Sequence, residues 1–159
     1  MKKGFDYCKS KAEQDQSLSL SQMKGLMILC WEGNPELGIR EDHGLAFKMA
    51  EELDVEGDIV GKAYFGAMLI KGTGPTQDVI RGISHLGFAT TMGCDIAAFY
   101  LAECHLDPPL EDLDSNLEQA LFHFRLCLRL ALDEGQHMTD EQCALAKAQV
   151  ARLERAISS

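Results

Sequence analysis

Apolar positions along this chain recur with a helical period. Between residues 78 and 93, Val79, Ile83, Leu86, Phe88 and Ala89 follow at intervals nearer 3.6 than 2, which places them on one stripe of a helix. No segment shows the strict alternation of a half-buried strand bounded by turn residues. The fold class is therefore all-α. Asp58 is placed to cap a helix running to about Lys71, and Gly72-Thr73-Gly74-Pro75 breaks it. Asp78 then caps a second helix that closes at Gly93, because glycine readily takes the left-handed conformation of a helix end.

The same pattern repeats at a shift of 36 residues. Gly57-Asp58-Ile59-Val60-Gly61-Lys62-Ala63-Tyr64-Phe65-Gly66 falls on Gly93-Cys94-Asp95-Ile96-Ala97-Ala98-Phe99-Tyr100-Leu101-Ala102. Upstream, Gly38 and Asp42 fall on Gly74 and Asp78, and Ala46 falls on Gly82. Residue size is kept across three copies. Gly25, Gly61 and Ala97 are small, Leu29, Phe65 and Leu101 are large and apolar, and Cys30, Gly66 and Ala102 are small again. A small residue beside a large one lets a neighbouring helix approach closely while the large side chain fills the adjoining gap. Positions 25, 29 and 30 and their images are accordingly expected to face inward.

The chain is thus an α-solenoid of about three helix-loop-helix units. The third unit departs from the others, with the loop Asp107-Pro108-Pro109-Leu110-Glu111-Asp112-Leu113-Asp114 and a longer second helix opened by the capping box Ser115-Asn116-Leu117-Glu118. Thr139-Asp140-Glu141-Gln142 is another such box and starts a C-terminal capping helix that runs to about Ile157. Residues 1–18 form a polar segment, a frayed helix at most, ahead of one repeat domain spanning 19–159.

Gly61, Phe65, Gly66, Gly72, Gly74, Asp78, Gly82 and Gly93 resemble the signature of the Sel-one-like repeats, a branch of the tetratricopeptide-related helical solenoids. The resemblance covers roughly Ser21 to Gly135. Departures are Ala63 at the usual aromatic place, Gly82 for the usual alanine, Cys30 and Ala102 for glycine, and the Pro-rich third loop. The resemblance implies a right-handed curved stack serving as an adaptor or scaffold for other proteins, often bacterial, with catalysis uncommon. Some extracellular relatives tie their two helices together through regularly spaced cysteines; Cys94 and Cys104 do not repeat in that way.

In such a stack the first helices stand side by side and their outward residues line a concave face. With positions 25, 29 and 30 inward, Ile28, Tyr64 and Tyr100 point to that face. Lys24, Val60 and Ile96 join them one turn earlier, and Trp31, Ala67 and Glu103 one turn later. These nine residues are the expected partner-binding set for a protein or peptide, because buried aromatic side chains are the usual anchors of an interface.

Composition narrows the function further. The chain has 159 residues, enough for one well-buried domain. Its 15 Lys+Arg against 25 Asp+Glu give a net charge of −10, which disfavours nucleic acid, since such binding draws on phosphate neutralisation. No apolar run is long enough for a membrane span and no leader is visible, so a cytoplasmic protein with reduced thiols is expected.

Chemistry finds little support. Cys104 and His105 are adjacent and point about 100° apart on a helix, too far for a nucleophile and its base. His43, His85, His123 and His137 lack zinc-ligand spacing, and no Cys pair supplies the rest of a set. We expect no catalytic residues, metal or cofactor. The expected function is a non-catalytic adaptor; the alternatives are a bacterial immunity or chaperone-like protein that blocks a specific toxin or effector, and a thiol-dependent or hydrolase-like enzyme.

Overall fold

A computed structural model describes residues 1–110, 114–133 and 137–159. Glu111, Asp112, Leu113 and Gly135, which figure in the loop and repeat boundaries above, lie outside the described residues. Among those described there are eight α-helices and no strand. They are α1 (Lys2–Glu13), α2 (Leu20–Glu32), α3 (His43–Val55), α4 (Ile59–Lys71), α5 (Val79–Thr91), α6 (Asp95–Leu106), α7 (Leu117–Asp133) and α8 (Asp140–Ile157), with a 3-10 turn at Pro35–Leu37. No helix among them is long and apolar enough to cross a membrane.

Six of the eight helices start where a short polar side chain accepts an orphan amide, while α1 and α6 have no such cap. Asp42, Asp58 and Asp78 accept from Leu45, Gly61 and Arg81, and Ser19 and Thr139 form complete capping boxes with Gln22 and Gln142. In front of α7 the cap is Asn116, whose side chain accepts from the Gln119 amide, and not the expected Ser115. The helices pack as three hairpins: α2 on α3, α4 on α5, and α6 on α7. Successive hairpins stack through α3 on α4 and α5 on α6, while α4 also touches α6. This is the expected solenoid. Gly57 and Gly93, one period apart, have φ of 81° and 84°, and each turns the chain out of one hairpin into the next.

Helix α4 lies at the centre of the stack and is buried on nearly every side. Its stripe of small residues marks contacts between backbones. A Cβ on Gly66 would stand 2.9 Å from the Gly82 carbonyl oxygen, and one on Gly82 would stand 2.6 Å from that of Gly66. Gly61 presses in the same way on Leu53 of α3. Gly25 corrects the expectation for its class, since it is exposed and nothing lies within 4 Å of its missing side chain. Leu29 is only half-buried. The first unit has no preceding hairpin to press on Gly25; its N-terminal neighbour is the single helix α1.

Within residues 1–18, helix α1 spans Lys2–Glu13. Helix α1 buries Phe5 and Ala12 and packs on α2. Lys9 bonds at 2.8 Å to Asp42, the cap of α3, and that hydrogen bond holds the Asp42 carboxyl below its ordinary range.

Candidate binding groove

Residues from the C-terminal parts of α2, α4 and α6 and from the first half of α8 line a common depression. Between them lies a cavity of about 490 Å³ that is continuous with one of about 350 Å³, the two sharing Lys71, Tyr100, Glu103 and Leu145. Trp31, Ala67 and Glu103, which are images at the repeat period, all line this groove. Each comes from a different unit. Helix α8 forms the opposite wall with Gln142, Leu145 and Gln149.

Of the nine residues expected on the face, four converge here: Trp31, Ala67, Tyr100 and Glu103. Val60, Tyr64 and Ile96 are core residues, with Tyr64 and Ile96 wholly buried. The expectation that they face outward fails for a packing reason, because α4 and α6 touch each other as well as their hairpin partners. Their sides are consequently occupied near the N-terminal ends. Tyr64 instead sets its ring edgewise on Tyr100, with centroids 6.1 Å apart. Lys24 is diverted to Asp58 at 2.8 Å, binding α2 to the start of α4. Ile28 is half-buried against the core. Neither lines the groove.

Sequence spacing did not single out Lys71, although it lies one turn beyond Ala67 on the same side of α4. Its ammonium nitrogen stands 5.6 Å from the Trp31 ring centroid and 5.4 Å from that of Tyr100, within reach of both π-faces. It makes no ion pair within 4 Å among the described residues. Two carboxylates stand nearby. Burial holds the Glu103 carboxyl above its ordinary range, with Lys71 acting against the shift. Partial desolvation, reinforced by the charge of Glu141, does the same for Glu32. Gln149 adds a side-chain carbonyl oxygen that is buried and has no partner among the described residues.

Comparison with solved structures decides the architecture. The chain superposes on the crystal structure of a Sel1 repeat protein from Oxalobacter formigenes with a TM-score of 0.55 at 15% sequence identity, over 85% of this chain and 58% of that one. The fold is that of a Sel1-like helical repeat. The Sel1-like solenoid spans less than two thirds of the length of that protein. No family model matches the sequence and no curated protein matches it significantly.

In this Sel1-like solenoid four of the six thiols are held against ionisation by burial. Burial pushes Cys30, Cys94 and Cys104 up to about 11 and Cys127 to about 12. Cys104 is the informative one, since it lines the groove and is only half-buried. At pH 8 a thiol of that pKa is ionised to roughly one part in a thousand, so its alkylation by iodoacetamide is expected to be on the order of a hundredfold slower than that of an ordinary thiol. The rate should rise about tenfold per pH unit up to pH 10, read by peptide mass mapping. Rapid labelling at pH 7 would contradict the assigned environment. Its neighbour His105 stacks on His123, with centroids 5.0 Å apart and planes at 23°, and burial followed by the His123 charge lowers its pKa.

Proposed function

We propose that the chain is a protein-binding module that seats a partner segment in the groove between α2, α4, α6 and α8. The observation that carries this reading is that Trp31, Ala67 and Glu103, one residue from each repeat, line two adjoining cavities that share Glu103, with Ala67 nearly wholly buried behind them. A surface assembled from equivalent positions of successive repeats suits an extended ligand that crosses the units in turn. Trp31 offers aromatic area beside polar groups, backed by the nearly buried Tyr100, the mixture found where interfaces concentrate their energy. Leu145 is exposed on the α8 wall although it is large and apolar.

Affinity capture with mass spectrometry tests the reading, comparing the wild type with Leu145→Arg. Leu145 is solvent-facing, so the variant should keep its helical circular dichroism while its long side chain fills the groove. Partners specific to the wild type are expected to drop at least tenfold in the variant. Capture of the same proteins in the same amounts by both would overturn the assignment to this groove.

A further inference from the structure

Building on that binding role, we propose that the groove contains a seat for an arginine side chain of the partner, between the rings of Trp31 and Tyr100 and beside Glu103, and that Lys71 occupies this seat in the free protein. The position is already cationic: the Lys71 ammonium rests 5.6 Å and 5.4 Å from the two ring centroids. Lysine fills the seat incompletely. It reaches no carboxylate within 4 Å among the described residues, which leaves Glu103 half-buried and without an ion pair.

A guanidinium answers each of these features at once. Its flat face stacks on an aromatic ring, and its five N–H donors can serve several acceptors together. Acceptors line the groove on both sides of this position: the Glu103 carboxylate, the Glu32 carboxylate in the part lined by Trp31, and in the other part the Gln149 side-chain oxygen, which is buried without a donor among the described residues. The net charge of −10 would draw a basic segment towards the groove from a distance.

Trp31 is the sole tryptophan of the chain, so intrinsic fluorescence reports on the seat directly. The probe is an acetylated, amidated Gly-Ser-Arg-Gly-Ser peptide titrated at 150 mM salt, beside the same peptide carrying citrulline, the uncharged isostere. Saturable change in Trp31 emission is expected with arginine, with citrulline at least tenfold weaker. Lys71→Ala vacates the seat and should tighten binding at least threefold, whereas Glu103→Gln should weaken it at least fivefold. Both positions are at least partly solvent-facing, so folded variants are expected, verified by circular dichroism. Equal binding of the citrulline peptide, absence of saturation, or no gain with Lys71→Ala would each overturn the seat. If those results coincide with loss of capture in Leu145→Arg, the groove remains a docking site and the arginine assignment alone fails.

Discussion

Replacing Gly66 with leucine is expected to lower stability by about 3 kcal/mol or more, at the upper end of the cost of overpacking a core. The reason lies in what the side chain would meet. A Cβ at this position stands 2.9 Å from the Gly82 carbonyl oxygen, 3.1 Å from the His85 Cβ and 3.2 Å from the Leu86 Cγ. The first of these is backbone, so relief requires moving α5 away from α4 along their shared length. That movement would also disturb His85, whose ring bonds at 3.1 Å to Asp54 while Asp54 pairs with Lys62. In a chain of this size the loss corresponds to a fall in thermal midpoint of roughly 10 °C. Gly66→Ala brings the same Cβ against the Gly82 carbonyl oxygen and should also destabilise, though by less than leucine, whose further atoms add to the clash. A melting curve for Gly66→Leu that matches the wild type would show that the two helices are not in backbone contact.

Asp95→Ala is expected to cost about 3 to 5 kcal/mol, the range seen when one member of a buried charged network is removed. Asp95 is wholly buried at the start of α6, where the helix dipole favours an anion. Its carboxylate accepts from the amides of Ile96 at 2.9 Å, His137 at 2.9 Å and Met138 at 3.1 Å. It also lies 3.0 Å from the His137 Nδ1. These bonds fasten the segment just ahead of α8 to α6 and so fix the wall of the groove. Alanine removes every one of them, whereas Asp95→Asn keeps one carbonyl oxygen and should lose less. Urea denaturation measures the cost, and limited proteolysis near residues 137–139 should accelerate in Asp95→Ala. Unchanged stability and unchanged cleavage would mean that α8 is held by its packing on α7 alone.

The repeat was legible because it is written in residue size. Gly61, Gly66 and Gly82 stand where helices touch, and glycine tolerates that proximity better than any other residue. Helix starts were legible because Asp58, Asp78 and Thr139 do local work on amides three residues ahead. The binding set was harder. Helical spacing tells which residues share a face, as it did for Trp31, Ala67 and Glu103, but not how far a neighbouring helix covers that face. Tyr64 was therefore expected at a surface and lies in the core. The α8 wall depends on a contact 42 residues apart in sequence, between Asp95 and His137, and no local pattern encodes it. Gly25 shows the opposite failure, a residue that matches its class in a unit where nothing presses against it.

The turns at Gly57 and Gly93 share nearly one backbone angle, so successive hairpins are added by a similar step. Adjacent packed helices stand roughly 10 Å apart, and an extended strand advances about 3.3 Å per residue. A ligand lying across the units would therefore meet an equivalent position about every third residue. Recognition of this kind has a ruler built into it: anchors that recur about every third residue of an extended segment keep step with the repeats, as do anchors about seven residues apart on a helix, which rises about 1.5 Å per residue.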